Sequence, residues 1–306
     1  LMDANLSDFT WNGQDLEIII GGSSYLFSKE DHYEQPSLEI DFSFCGEFVN
    51  TSTIDYIGYA EKDSYGIGDV KFDGDQYTIL MSGGESFLLK VAYEDDGCGS
   101  EEDSSEENSD LVDPDNCWDD FGCSTTILPL YTQNSIPSHV SQQNLGAYIS
   151  THSWLNFQYF KRALLRSNIF MSPELLTPRM TSWSEPGNDF NALEEDIFDN
   201  IPNDPLIQSE RMASGADLVI VFTHDYEDVN GIAEGINDDP LAEYYHAIVE
   251  TASTPNYTLT HELGHLLSAR HQFGVIPPED PRYTYAHAHF MTSAMEDVTL
   301  MGVNIN

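Results

Sequence analysis

Positive charge is what this chain has least of. Its 306 residues carry 11 Lys and Arg against 53 Asp and Glu, a formal net charge of -42, and no cation stands between Lys90 and Lys161. Such a field repels phosphate backbones and anionic membrane surfaces, so neither nucleic acid nor a charged bilayer is an expected partner. The excess acid reads as a device for solubility, as in a saline habitat where counterions screen the self-repulsion. Calcium is a second cofactor that so much carboxylate could serve, but no D-x-[DN]-x-[DN]-G-x5-E loop marks a site for it. Long apolar runs are missing too. No stretch of about eighteen apolar residues occurs, which excludes membrane insertion through a transmembrane helix. The opening LMDANLSDFT has no basic segment followed by an apolar one, so a signal peptide is either absent or already removed. Cysteine is scarce: Cys45, Cys98, Cys117 and Cys123 permit two disulfides or a mixture of bridges and thiols. None forms C-x2-C, which removes a cysteine-based structural zinc site.

Enough apolar sequence is present, 40% of the chain, to fold most of it. Residues 1–95 read as short strands between turns. DLEIIIGGSSYLF breaks at Gly-Gly, TIDYIGYAEKD follows, and GDVKFDGDQYTILMSGGESFLLKVAYE holds three strands joined by Asp-Gly and Gly-Gly. Residues 96–122 are acidic and Ser-rich with almost nothing to bury, the composition of a linker. From 123 to 306 strands and helices alternate, which predicts a mixed sheet with helices packed on it. STTILPLYT is a buried-type strand, SHVSQQNLGAYISTHSWLNFQYFKRALLRSN has helical spacing, and ELLTPRMTSW can form a further strand. NALEEDIFDNI and the run to Met212 read as helical. GADLVIVFTH is the best central strand, EYYHAIVET a candidate edge strand, and NYTLTHELGHLLSA a helix with Thr258 or Thr260 near its start.

The chemistry concentrates in HELGHLLSARH, His261 to His271. Residues four apart share a helix face, so His261 and His265 point the same way and their imidazoles can reach one ion. Glu262 beside them can take a proton from water without coordinating the metal. Zinc accepts neutral imidazole nitrogens and in catalytic sites keeps a position for water beside three protein ligands. His271 offers the third nitrogen, provided that the chain turns after about Ser268. No G-x-S-x-G suggests a serine nucleophile instead.

This stretch resembles the metzincin signature H-E-x-x-H-x-x-G-x-x-H and, more closely, bacterial proteases of the reprolysin or adamalysin-like type. The likeness extends over ILPLYT, SGADLVIVFTHDYEDVNGIAEGI, THELGHLLSARH and TYAHAHFMTSAM. It implies an α+β fold: a metzincin catalytic domain with a twisted mixed sheet, long helices and an active-site helix, preceded by a small all-β domain. It also implies a zinc metalloendopeptidase acting on protein or peptide substrates, with Met295, or failing it Met291, as an apolar floor under the metal. Ser268 departs from the family's glycine. A non-glycine residue in left-handed geometry costs about 1 to 2 kcal/mol, which a packed helix absorbs. If His271 faced solvent, Glu279 would be the first substitute ligand.

Substrates of the resembled family lie extended along an edge strand, here NGIAEGI to HAIVET, with main-chain pairing and side-chain pockets. A β-domain and linker ahead of a protease resemble the pro-region of a secreted, latent enzyme, with the N-terminal domain as its inhibitor. Two blocking groups compete in that reading. Cys98, in a Cys-Gly pair, could place a thiolate on zinc, and Cys117 or Cys123 could do so in its place. FDGD, Phe72 to Asp75, resembles an aspartate switch but also reads as a hairpin turn. Cys117 and Cys123 are close enough to pair with each other. The alternatives of other classes are a non-catalytic adhesion or calcium-binding surface protein and an exopeptidase. Glu262 argues against the first, and no group that would hold a free terminus supports the second.

Overall fold

The computed structural model describes residues 6–20, 22–29, 40–49, 56–72, 75–82, 85–90, 124–137, 140–166, 171–183, 196–223, 230–233, 246–251, 258–267 and 269. The chain divides into two compact units. One comprises Leu1–Glu94 with Ser138–Gln158, the other Asp95–Pro137 with Tyr159–Asn306.

The first unit is built on an eight-stranded antiparallel meander in sequence order: β1 (Leu6–Trp11), β2 (Asp15–Ile20), β3 (Ser23–Lys29), β4 (Phe42–Phe48), β5 (Tyr56–Lys62), β6 (Tyr65–Phe72), β7 (Asp75–Ser82) and β8 (Glu85–Lys90). Alternation puts Leu16 and Ile18 of β2, Ile57 and Tyr59 of β5, and Tyr77 and Ile79 of β7 in one core with Phe27, Phe44, Val70 and Leu88. β1 and β4 were not among the strands that the sequence announces. Phe72 pairs with Asp75 at the end of the β6–β7 ladder, so FDGD spans a hairpin. β5 and β6 join without glycine. Lys62 pairs with Tyr65, and Asp63 (φ 51°) and Ser64 (φ 63°) both take left-handed geometry, as a two-residue primed turn requires. Asp41 Oδ2 steadies the turn by accepting from the Asp63 N–H at 2.7 Å.

α1 (Leu145–Arg166) begins in the first unit and ends in the second. Within the first unit its Tyr148 meets Tyr65 of β6, with ring centroids 5.5 Å apart.

The second unit holds a six-stranded sheet of β9 (Ser124–Tyr131), β10 (Ser172–Leu175), β11 (Arg179–Met180), β12 (Leu218–Thr223), β13 (Gly231–Ala233) and β14 (His246–Glu250). β10 and β11 both pair with β9, and the order continues through β12 and β14 to β13. All pairings are parallel except that of β13 with β14. Every residue of β12 is buried, which explains the unbroken apolar run LVIVFT: a central parallel strand is covered on both faces. Of EYYHAIVET, a candidate edge strand by sequence, the described strand His246–Glu250 lies inside the sheet instead. All five residues of β14 are buried between β12 and β13, and β13 is the edge among the described strands. With three residues, β13 is too short to show a strand period.

α2 (Pro205–Ser214) carries its own signals at both ends. Asp204 accepts from the N–H groups of Leu206 and Ile207 at 2.9 and 3.0 Å, Pro205 opens the helix, and Gly215 closes it at φ 68°. Ahead of it, the π-helical turn Asp196–Asn200 runs into Ile201–Asn203. Ile197, Ile201 and Ile207 from this helical stretch pack with Leu128, Val219 and Ile248 of the sheet. α3 (Thr258–Leu266) lies against β13 and β14. Among the described residues, no helix is long and apolar enough to cross a membrane.

Candidate active site

α3 owes its placement to an apolar stripe. Leu259, Leu263 and Leu266, at three- and four-residue spacing, are buried, and Thr258 and Thr260 are buried with them. The same period brings His261 and His265 together one turn apart. Their Nε2 atoms stand 3.1 Å apart, with ring centroids at 4.7 Å and planes at 80°. Two nitrogens bound to one tetrahedral zinc at about 2.0 to 2.1 Å lie about 3.3 Å from each other. The pair is therefore spaced to share a small cation.

The orientation of one ring is set from behind. His265 Nδ1–H donates to the Ala269 carbonyl at 2.9 Å, which leaves the Nε2 lone pair for a metal. Ala269 is held in turn by the end of the helix: its N–H bonds back to the Gly264 carbonyl at 2.9 Å, and Leu267 N–H reaches Gly264 O at 3.0 Å. α2 ends with the same long return bond, from Ala216 N–H to Arg211 O, around left-handed Gly215. In α3 the residue at the corresponding place is Ser268. The Ala269 carbonyl as an orienting group was not read from sequence; its only signal there is its place four residues beyond His265.

Glu262 is fully buried and lies against the edge strand. A β-carbon added at Gly231 of β13 would stand 2.9 Å from Glu262 Oε1, 3.1 Å from its Cγ and 2.7 Å from Thr258 Cγ2. This strand-to-helix approach joins residues remote in sequence and leaves no local signature.

The donors present, two imidazole nitrogens 3.1 Å apart, suit zinc. Among the described residues no set of three or more His, Cys, Asp or Glu side chains is grouped for a metal. His271, Ser268, Glu279, Met291, Met295, Cys98, Cys117 and Cys123 all lie outside those residues. Cys45 is half-buried on β4.

Residues 174–272 match the family model described as metallo-peptidase family M12B, reprolysin-like. The match runs from β10 through α3 and includes His261, Glu262, His265 and His271. Over 125 residues, 41% of this chain, the sequence is 27% identical to the peptidyl-Asp metalloendopeptidase of Xanthomonas campestris pv. campestris, of which the match spans only 29%. The fold is similar to that of metalloproteinase-II from Bacteroides fragilis, with a TM-score of 0.51 and 14% identity, covering 86% of this chain and 80% of that one. Over the stretch that carries the histidine pair, this chain is similar to the reprolysin-like metallo-peptidases of family M12B, and it spans less than a third of the length of the Xanthomonas relative.

Proposed function

We propose that the chain is a secreted zinc metalloendopeptidase of the metzincin type, kept latent by residues 1–95, joined through the linker 96–122 to a protease domain over 123–306. The observation that carries this reading is the convergence of His261 and His265 Nε2 at 3.1 Å next to buried Glu262, within the reprolysin-like match. In this reading His271 is the third ligand, and Met295 is the apolar floor that the family resemblance implies. Zinc held there supplies Lewis acidity toward water and the scissile carbonyl, lowering the pKa of the water to about 7.

The protein's own groups do the rest. Glu262 accepts the proton of the attacking water and returns it to the leaving amine. Its burial keeps competing solvent away from the carboxylate. In this reading an extended peptide pairs with β13, the edge among the described strands. Because the Xanthomonas relative is named for peptidyl-Asp, an aspartyl peptide is the first substrate to compare with its alanyl counterpart. A non-catalytic adhesion protein has no use for Glu262 between two metal ligands.

The test is metal analysis together with casein hydrolysis, before and after cleavage within 96–122. Bound zinc, loss of activity with a chelator and its return with zinc are expected. A cleaved chain that holds zinc and cuts neither casein nor peptides would overturn the reading.

A further inference from the structure

We propose that Gly231 is a positioning residue for Glu262: its bare Cα, at the start of the edge strand, is the slot that holds the carboxylate beside the histidine pair. The inference rests on the proposed role of Glu262 and adds the element that fixes it.

Gly231 is not required by its own backbone. It takes none of the left-handed geometry that Gly13, Gly22 and Gly215 show, and it sits in a regular ladder opposite Val249. Glycine inside a strand weakens it, and often marks a place where another group approaches closely. Here that group is the Glu262 side chain, with the Thr258 methyl next to it.

Neither backbone has room to withdraw. Ile232 and Ala233 continue the pairing with Ile248 and Ala247, Glu250 N–H donates to Asn230 O at 2.8 Å, and all of β13 is buried. On the other side Leu259 and Leu263 are buried, at 1% and 0% exposure, and seat the helix. A side chain at 231 is therefore met by movement of side chains. Thr258 can turn its methyl by rotating χ1, whereas Glu262, fully buried, loses the place of its carboxylate.

The experiment compares wild type, Gly231→Ala, Glu262→Asp and the double variant as zinc-loaded full chains. It reads zinc content, the thermal midpoint, and kcat and KM on a quenched-fluorescence peptide after cleavage in the linker. Gly231→Ala is expected to keep its zinc, to lower the midpoint, and to lower kcat and kcat/KM equally, by about 10²-fold. Aspartate is one methylene shorter and withdraws from the slot. In the Glu262→Asp background the same alanine should therefore cost little further activity and little further stability. Equal losses in midpoint and in kcat in both backgrounds would show that Gly231 only makes room for Thr258, and would overturn the proposal.

Should Gly231→Ala fail to fold, the same comparison is made with Thr258→Ser throughout, which removes the methyl at 2.7 Å and leaves only the contact with Glu262. If the cleaved wild-type enzyme shows no peptidase activity, the proposed function falls, while the thermal comparison still decides whether Gly231 and Glu262 are coupled.

Discussion

Glu262 joins the two halves of the site. It has the least exposure a side chain can have, 0%, yet it neighbours His261, which is only half-buried. A carboxylate that takes protons without binding metal can be removed while the ligands stay. Glu262→Ala is therefore expected to retain zinc and lose about 10² to 10⁴-fold in kcat; wild-type rates on casein would refute its role as base. Ser268 poses a backbone question. The return bond from Ala269 to Gly264 is the kind that α2 makes around left-handed Gly215. In such a motif a serine costs about 1 to 2 kcal/mol relative to glycine. Ser268→Gly is expected to raise the thermal midpoint by a few degrees or leave it unchanged, with zinc affinity intact. A loss of zinc affinity would mean that the hydroxyl has a positive role.

β14 begins with a histidine that lies outside the candidate site. His246 is buried against α2, where Gln208 Nε2 donates to its Nε2 at 3.4 Å. Burial, reinforced by the charge of Arg211, holds its pKa at about 3 instead of the usual 6.5. The unfolded chain therefore binds a proton between pH 6.5 and about 3 that the folded chain does not. Stability is complete above pH 6.5 and falls as the pH drops through this window, by up to about 1.4 kcal/mol per pH unit from this group. Urea unfolding at a series of pH values should show the fall, and His246→Gln should flatten it even if it lowers stability at pH 7. An unchanged slope would assign the acid sensitivity to other groups.

The two units meet the chain's functional demands differently. The eight-stranded meander buries its own core, and the second sheet carries the histidine helix on β13 and β14. If residues 1–95 act as an inhibitor, the uncut chain should be nearly inactive. Residues 96–122 should be the point of nicking, because their composition has little to bury. Cleavage there should release activity on casein, and Cys98→Ser should release it without cleavage if a thiolate is the block, since a neutral hydroxyl is a far poorer zinc ligand. A latent Cys98→Ser protein beside an active nicked one would assign the block to bulk or to another ligand. Equal activity of uncut and cut wild type would leave the front unit an accessory domain.

Local pattern was enough to place α3 and its two histidines on one face, to mark LVIVFT as the central strand, and to read the Asp-Gly and Gly-Gly hairpins of the first unit. Each of these depends on residues two to four apart, whose relation the helix and strand periods set directly. Other features were not legible. Within the candidate edge NGIAEGI to HAIVET, which of β13 and β14 lies outermost was not legible, because strand order follows from which faces the neighbouring elements cover, and three residues of β13 carry no period. β4, interrupted by Gly46, and the Asp63–Ser64 turn without glycine gave no clear signal. The Ala269 carbonyl behind His265 and the slot that Gly231 leaves for Glu262 arise only when a helix end closes and a helix settles on a strand. Those contacts join groups that the chain brings together through packing, and packing depends on all the buried faces at once.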